Sequence, residues 1–398
     1  MAKIKLIFRI IILYILSISC GYADIQMKLI GATLKCNACP YEVIDDHYDF
    51  RYQFPCLDNR YNPKYIMALV SHLGKKTLQA FRIEDTCNLN QNKVLPVYTY
   101  LEQSMAGPGL FYKPQEDLYA FRPGLYFLIR HNSKWQIRQA NKKDSLIFSL
   151  NEFPNYFDQT YQGFAYANDN IIFGQHNKKL LDCKHSIHSF HLPNRNHQAI
   201  GYISKTKSSG IQIKVRHKTK IIENQGSIEI GPKFSQNLVY VAFLRSNGMN
   251  WEIVILRNDT FTEQAVIQNL RMYDIENTIF FFNDSFQWLD NKLYYHKTLD
   301  EKQNNLTIFQ YDPLLNKEKK IIFNNNAHFE WKQINKIDSR TCELNINIYG
   351  IGWFQVSMHN GRLLVAAECE LKTKSFCLNK PIAKRTVHRI GIFEEQSK

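Results

Sequence analysis

The densest group of side chains that could do chemistry is a run of histidines near the middle of the chain. Five of the 13 histidines fall between His176 and His197, and the central three are His185, His188 and His191. Neutral imidazole is a common ligand for zinc and copper. On a strand, however, His185 and His191 would share one face while His188 points to the other. We therefore favour an exposed loop or edge strand over a metal site, and predict neither a metal nor another cofactor.

An acidic segment, residues 42–49, holds carboxylates that could work as a pair. Its acids are Glu42, Asp45, Asp46 and Asp49. Glycosidases cleave with two carboxyl groups separated by about 5 Å or by about 6.5–9.5 Å. Because the sequence does not give the distance between two carboxyl groups in the folded protein, it assigns no catalytic residue. We favour a turn here and keep a carbohydrate-active enzyme as the alternative hypothesis.

Two short motifs match catalytic patterns in their spacing alone. Ser204 and Lys207 have the Ser-x-x-Lys spacing of penicillin-binding enzymes, but that chemistry needs the pair one helical turn apart, and a hairpin turn is predicted here. Cys36 and Cys39 have the spacing of redox sites, yet their surroundings predict a loop and not the start of a helix. A structural disulfide is favoured for this second motif.

A basic segment follows the Ser204–Lys207 motif. Ile211, Ile213 and Val215 alternate with polar residues, which predicts an amphipathic strand whose polar side continues beyond residue 216. The candidates for binding an anionic surface are Lys214, Arg216, Lys218 and Lys220. In an exported protein such a surface would be lipopolysaccharide, phospholipid headgroups, acidic glycans or an acidic protein, whereas nucleic acid is not expected. A solvated face without a specific partner is the alternative.

The first 23 residues predict export. Three basic residues precede an apolar run at 10–18, which is too short to span a bilayer, and the small residues Gly21 and Ala23 follow. We expect a secretory signal peptide over residues 1–23 and a periplasmic or secreted protein that begins near Asp24. The whole chain carries a formal net charge of +14. Since no later apolar run is long enough for a membrane helix, an integral membrane protein is not expected.

The cysteines support the same compartment. Cys20 would leave with the signal peptide, and the even number that remains favours disulfides in an exported chain. The candidates cluster at the two ends of the chain: Cys36, Cys39, Cys56, Cys87, Cys342, Cys369 and Cys377. Their pairing stays open, and Cys183 is either a lone thiol or a long-range partner.

The elements that must position these residues are pairs of short strands. Apolar runs of about five to seven residues, rich in Ile, Val, Tyr and Phe, recur along the chain with polar turns between them. Strand pairs are predicted at 65–83, 125–138, 200–215, 239–256 and 293–311, and another opens at 362. No linker divides the chain and no long amphipathic helix emerges, so we expect a single all-β domain.

One unit resembles a known repeat. Gly231-Pro232-Lys233-Phe234-Ser235 leads into an apolar run at 239–244, a glycine-bearing turn and a second run at 251–255. This unit resembles the repeat of TolB-like β-propellers, although Ser235-Gln236-Asn237 replaces the Ser-Pro-Asp-Gly turn of that family. Degenerate copies at 286–295 and 167–173 extend the resemblance over roughly residues 160–315.

The resemblance and the strand pairs together predict the architecture. Their spacing brackets the blade period of about 40–50 residues in propellers, so we expect one propeller over residues 24–398, with about six to eight four-stranded blades. We expect disulfide staples at its ends and a divergent, cysteine-rich first part at 24–100. The resemblance implies a propeller more than it implies the role of TolB itself. Our leading hypothesis is a module that binds an envelope protein, comparable in broad kind to TolB-like propellers, with the basic face against an anionic surface. A histidine-rich metal-binding protein is a minor alternative.

Overall fold

The computed structural model describes residues 24–32, strands between 51 and 131, and most of 134–396. Undescribed segments in the last range are 140–145, 271–285, 299–305, 332–339, 348–353 and 375–384, with shorter gaps elsewhere. For strand residues within 51–131, 326–347 and 368–390 the description is confined to the backbone. Across these ranges, no helix has the length and apolar character needed to cross a membrane.

Strands fill the described ranges, and the one helical element among them is the 3₁₀ turn Gln175–Asn177. In chain order the strands are β1 (Ile25–Ala32), β2 (Arg51–Tyr52), β3 (Cys56–Leu57), β4 (Tyr65–His72), β5 (Lys75–Arg82), β6 (Tyr98–Leu101), β7 (Tyr126–His131), β8 (Lys134–Gln139), β9 (Leu146–Leu150), β10 (Tyr156–Thr160), β11 (Gly163–Asn168), β12 (Ile171–Gly174), β13 (Lys179–Asp182), β14 (Ser186–Asn194), β15 (His197–Ile203), β16 (Ser209–Val215), β17 (Lys218–Glu223), β18 (Ile228–Phe234), β19 (Tyr240–Ser246), β20 (Trp251–Arg257), β21 (Thr262–Leu270), β22 (Phe286–Leu289), β23 (Lys292–Thr298), β24 (Leu306–Asp312), β25 (Lys317–Phe323), β26 (Asn326–Trp331), β27 (Arg340–Asn347), β28 (Phe354–His359), β29 (Arg362–Lys374) and β30 (Arg385–Glu395).

Consecutive four-stranded antiparallel meanders form the middle of the chain. Three separate sheets, β10–β13, β14–β17 and β18–β21, pair each strand with its neighbour in sequence, and β22–β25 repeats the plan within a larger sheet. Before them lie β7–β9 and the sheet formed by β2 to β6. The predicted strand pairs are confirmed: the pair expected at 239–256, for example, is β19 and β20.

The two ends of the described chain meet in one sheet. β1 pairs antiparallel with β30 and parallel with β25, and β28 and β29 continue the sheet beyond β30. Leu29 lies opposite Phe393, for instance. A four-stranded unit thus combines one strand from the start of the chain with three from its end, which is a way to close a ring of sheets without long exposed edges.

The first strands of successive sheets stand side by side. β10 contacts β14, β14 contacts β18, β18 contacts β22, and β22 contacts β28. These strands are largely buried, whereas the last strands are less so: β17 is mostly exposed, and in β13 and β25 a single residue, Ile321, is buried. Repeated four-stranded meanders with buried first strands and less buried last strands form a propeller-like, all-β fold, as the sequence predicts.

Hydrophobic clusters fill the spaces between neighbouring sheets. One cluster joins β18–β21 to β22–β25 around Trp251, Phe286 and Trp288. Another joins β14–β17 to β18–β21 around Ile211, Ile213 and Phe243. Each such aromatic side chain removes a large apolar area from water on folding. The sheets therefore hold each other through face-to-face packing.

Several expectations fall on parts of the chain that the structure does not describe. The predicted signal peptide lies outside the described residues, as do the acidic segment 42–49 and the side chains of the seven cysteines proposed for disulfides. Cys183 is described and is a free thiol, half-buried against the cluster around Tyr156 and Phe190. Burial, with a smaller contribution from Asp182, raises the pKa of this thiol to about 11.

Candidate functional site

Polar side chains form a chain of contacts between the first strands, which we call the axial seam: Ser189 and His191 on β14, Lys233 on β18, and Gln287 and Trp288 on β22. In each case a side chain of one first strand hydrogen-bonds to the backbone of an adjacent one. The Gly231 N–H donates to Ser189 Oγ at 3.1 Å, and the Phe234 N–H donates to His191 Nδ1 at 3.0 Å. These bonds tie β14 to β18.

The seam continues from β18 to β22 and β28. Lys233 Nζ donates to the Phe286 carbonyl at 2.9 Å and lies 4.8 Å from the centroid of the Phe286 ring. Trp288 Nε1 donates in return to the Lys233 carbonyl at 2.9 Å. Gln287 Nε2 donates to the Phe354 carbonyl at 2.7 Å. A buried side chain that satisfies a buried backbone group stabilises the packing of one sheet on the next.

His188 occupies a β-bulge inside this seam. The register of β14 against β15 shifts between Ile187 and Ser189, so His188 is the extra residue. Its ring fits because residue 201 is glycine: a Cβ there would lie 2.4 Å from His188 Cε1 and 2.2 Å from Ser189 Oγ. His188 Nδ1 lies 2.9 Å from Ser189 Oγ, while Nε2 has no hydrogen-bond partner among the described residues. Burial lowers the pKa of His188 from 6.5 to about 4, so the ring is neutral at pH 7.

Glu229 is a fully buried carboxylate on β18. Ser227 Oγ donates to its Oε1 at 2.5 Å and Asn224 Nδ2 donates to the same oxygen at 3.1 Å. Its backbone N–H donates to Ser209 Oγ at 2.7 Å. Burial raises the pKa of Glu229. The hydrogen bonds from Ser227 and Asn224 and the positive charge of Arg245 lower it, but the effect of burial is larger.

Opposite charges alternate across the sheet beside Glu229. Arg245 on β19 lies directly across from Glu229 and from Glu252 on β20, so the three side chains share one face. Arg245 Nε donates to Glu252 Oε1 at 2.5 Å, and Glu263 is 3.8 Å from the same guanidinium. This arrangement balances the buried carboxylate with a nearby cation.

A hydroxyl-rich cluster lies where the turn between β15 and β16 meets the last residue of β17. The Tyr202 hydroxyl donates to Glu223 Oε2 at 3.0 Å, and Ser208 Oγ donates to Glu223 Oε1 in a short hydrogen bond. Ser204 Oγ is 2.6 Å from Ser208 Oγ. The bonds from Ser208 and then Tyr202 lower the pKa of Glu223. The residues Ser204–Ser208 form a hairpin turn as predicted, closed by the Ser204 N–H to the Ser208 carbonyl at 2.8 Å.

The three candidate histidines face three different partners. The His185 ring stacks on Tyr202 with centroids 5.1 Å apart, His188 lies against Ser189, and His191 accepts a hydrogen bond from β18. In the ranges that the structure describes, no group of three His, Cys, Asp or Glu side chains is placed to hold a metal ion. The expectation of an exposed setting is wrong for His188: β14 is the first strand of its sheet, but β10 and β18 cover it.

The basic segment forms a hairpin, which we call the basic hairpin: residues 214–220, where β16 turns into β17. The expectation of one continuous polar face is wrong, because β16 ends at Val215 and Arg216 has a turn conformation with φ 56°. In the register of the two strands, Lys218 lies opposite Val215 and Lys220 opposite Ile213.

Lys214 and the two β17 lysines therefore lie on opposite faces of the sheet, because cross-strand partners share a face. Lys214 is half-buried, whereas Arg216, Lys218 and Lys220 are exposed. The structure thus brings the four candidate cations to one outer hairpin but not to one face. Whether they bind an anionic surface stays a prediction.

Sequence reasoning missed two buried charged residues, Glu229 and the seam residue Lys233. Glu229 and Lys233 are charged residues inside an apolar run, which is unusual for a solvated strand. Nothing in the spacing shows that Lys233 reaches a residue that is 53 positions away along the chain.

No protein-family model matches the chain, and no curated protein matches it either. Similar solved structures include a putative TolB from Agrobacterium tumefaciens, 8% identical, covering 63% of this chain and 85% of that chain at a TM-score of 0.33. Hsv2 of Kluyveromyces lactis is 9% identical and covers 86% of this chain and 99% of its own at a TM-score of 0.40. Prolyl oligopeptidase B from Galerina marginata is 12% identical, and the match covers 75% of this chain and 47% of the oligopeptidase chain at a TM-score of 0.41.

These similarities are too distant to indicate what the chain does. The propeller-like arrangement follows from the sheets themselves, through their meander order, the adjacent first strands and the joint sheet of the two chain ends.

Proposed function

We propose that this protein is an exported β-propeller that acts as a binding module of the cell envelope. In the proposed arrangement the sheets β2–β6, β7–β9, β10–β13, β14–β17, β18–β21 and β22–β25, and the closing unit of β28–β30 with β1, are seven blades. Its partner is an envelope protein, and the basic hairpin aids contact with an anionic surface such as phospholipid headgroups or lipopolysaccharide.

The observation that carries this proposal is the exposure of the basic hairpin. Arg216, Lys218 and Lys220 are exposed on the outermost strand and the turn before it, and no acidic residue lies between Ser209 and Ile222. Basic side chains near an anionic membrane each contribute about 1 kcal/mol to binding, and the attraction weakens as salt is added.

The buried polar groups support the same view. Seam side chains such as Ser189, Lys233 and Gln287 are engaged with the backbone of neighbouring strands, which fits a structural role. A rigid disc whose sheets are fixed in this way is a suitable platform for a binding surface on its rim or loops.

Charge reversal of the hairpin tests the proposal. We expect a variant with Lys214→Glu, Arg216→Glu and Lys218→Glu to lose at least about a hundred-fold in affinity for phosphatidylglycerol vesicles, since three favourable contacts of about 1 kcal/mol each are removed. Sedimentation of the full chain with vesicles at several salt concentrations measures this. Cross-linked pull-down from native envelope then tests for the protein partner.

A matched control reverses three exposed lysines elsewhere: Lys28→Glu, Lys178→Glu and Lys184→Glu. This control keeps the same change in net charge, so we expect clearly smaller losses from it. Retention on vesicles and envelope that is equal for both variants, and insensitive to salt, would overturn the proposal.

A further inference from the structure

The outer edge of β17 is an open strand edge. β17 is the last strand of its sheet and, among the described residues, pairs with β16 alone. All of its residues except Ile222 are exposed, and Ile221 keeps 58% of its surface. An exposed strand edge presents a row of backbone N–H and C=O groups to any extended chain that fits beside it.

The register tells which backbone groups point outward. Val215 and Lys218 face each other across a two-residue turn, so they form a hydrogen-bonded pair, and so do the alternate pairs that end in Lys220 and Ile222. The intervening residues Thr219 and Ile221 therefore direct their N–H and C=O groups away from β16. These groups are available to an added strand.

The chain itself adds a strand at the outer edge of another sheet. β25 is the last strand of its meander, and β1 lies beside it in parallel, with Ile25 opposite Ile321 and Met27 opposite Phe323. The Asp24 carboxylate, at the start of that added strand, accepts a hydrogen bond from the Lys320 N–H at 3.2 Å. Strand addition to an outer edge is therefore part of this architecture.

The other last strands differ from β17. β13 has four residues, and its Lys179 is paired with Asp182 at 2.6 Å. β21 contains no lysine or arginine and carries Glu263. β17 combines length, an open edge and exposed positive charge.

The two faces of β17 specify the chemistry of a partner. Lys218 and Lys220 lie on one face and Ile221 on the other, since neighbouring residues of a strand alternate. The one acid of the strand, Glu223, is already bonded to Tyr202 and Ser208. Edge lysines discourage pairing with uncharged or basic strands, so a partner strand needs acids opposite the lysines and apolar side chains beside Ile221.

We propose that β17 captures an extended segment of a partner protein in which acidic and apolar residues alternate. The segment adds as a strand in the direction that β1 takes on β25 and bonds to the outward backbone groups of Thr219 and Ile221. Such strand addition gains affinity from the main chain and specificity from alternate side chains. This inference rests on the proposed binding function and names the class of its protein partner.

The test uses the full chain and a synthetic peptide of alternating glutamate and valine, with binding followed by calorimetry. In a parallel pair the valine opposite Ile221 directs its amide away from β17, and the flanking glutamates donate theirs to the edge. We expect the same peptide with N-methyl groups on alternate glutamates to bind at least ten-fold more weakly, because it keeps its charge but loses donors to the edge. On the protein side, Ile221→Pro removes one outward N–H and leaves the β16 ladder intact. Ile221→Pro should weaken peptide binding at least ten-fold, whereas Ile221→Val should leave the affinity unchanged.

Binding to phosphatidylglycerol vesicles separates this inference from the proposed function. We expect Ile221→Pro to leave vesicle binding unchanged, because the charges remain. Equal affinity for the methylated and unmethylated peptides would overturn strand addition while leaving an electrostatic surface intact. A second outcome also separates the two hypotheses. If charge reversal abolishes vesicle binding but the parent protein does not bind the peptide, the proposed binding of an anionic surface is supported and strand addition at β17 is rejected.

Discussion

The first and last strands of one sheet, β14 and β17, differ in what surrounds them. β14 is enclosed by β10 and β18, and its polar side chains bond to adjacent backbone, as Ser189 and His191 do with β18. β17 has one neighbouring strand among the described residues, and its lysines are exposed. The same four-stranded unit thus has a first strand that bonds to the neighbouring sheets and a last strand that, in the proposed function, binds a partner. Polar residues on β14 contact adjacent backbone, whereas the lysines on β17 are exposed.

The largest expected effect lies in the seam between β18 and β22. Trp288 is 1% exposed and its Nε1 donates to the Lys233 carbonyl. We expect Trp288→Ala to lower the free energy of unfolding by about 3–5 kcal/mol, from lost packing and the cavity that remains. Chemical denaturation measures this. Trp288→Phe is the matched control, and a loss as large as that of alanine would show that the hydrogen bond outweighs the packing.

The next largest effect is expected at Gly201, where the side chains of His188 and Ser189 lie close to the backbone. A Cβ there would overlap Ser189 Oγ and His188 Cε1 at 2.2 and 2.4 Å. We expect Gly201→Ala to cost about 1–3 kcal/mol of stability, because the bulge must shift. At Gly174 the three atoms nearest to such a Cβ all belong to the flexible Leu180 side chain, at 3.1–3.2 Å, so Gly174→Ala should cost clearly less. Equal melting temperatures for Gly201→Ala and the parent would contradict the packing described for the seam.

A pH dependence follows from His188. Its pKa is lowered from 6.5 to about 4 by burial, so the unfolded chain binds a proton more readily than the folded one. The stability contributed by the neutral ring is complete above pH 6.5 and is lost as the pH falls toward 4, by up to about 3 kcal/mol. The raised pKa of Glu229 acts in the opposite direction, because falling pH neutralises a buried charge.

The difference between parent and His188→Gln isolates the histidine. We expect the unfolding free energy of the parent to fall more steeply than that of the variant between pH 6.5 and 4. Urea denaturation across this range provides the measurement. Parallel curves for the two proteins would show that His188 keeps an ordinary pKa and is not buried.

The smallest effect on stability is expected at the outer edge. Lys218→Gln with Lys220→Gln should change the unfolding free energy by no more than about 0.5 kcal/mol, because both side chains are exposed. The same variant should bind phosphatidylglycerol vesicles about ten-fold or more weakly. A large loss of stability without a loss of binding would reverse the roles assigned to the two sides of the sheet.

The sequence allowed the strands to be predicted because their signal is local. Alternation at Ile211, Ile213 and Val215, and polar turns such as Ser204–Ser208, are visible within a few residues. The resemblance of residues 231–255 to a propeller repeat pointed to the four-stranded plan for the same reason.

What the sequence did not show depends on contacts between distant residues. His188 is buried because neighbouring sheets cover β14, and Ser189 meets Gly231 at a separation of 42 positions. Such pairs have no local pattern. The turn at Arg216 was missed because a two-residue turn interrupts a basic segment without a glycine or proline.

Amide hydrogen exchange of the full chain, with and without the alternating glutamate–valine peptide, tests the central claim most directly. In the free protein the outward amides of Thr219 and Ile221 should exchange quickly, and those of the seam strands β14 and β18 slowly. On addition of the peptide, exchange at Thr219 and Ile221 should slow at least ten-fold while the seam stays unchanged. Protection that appears in β14 or β18, or no change in β17, would contradict the division between a structural axis and a binding edge.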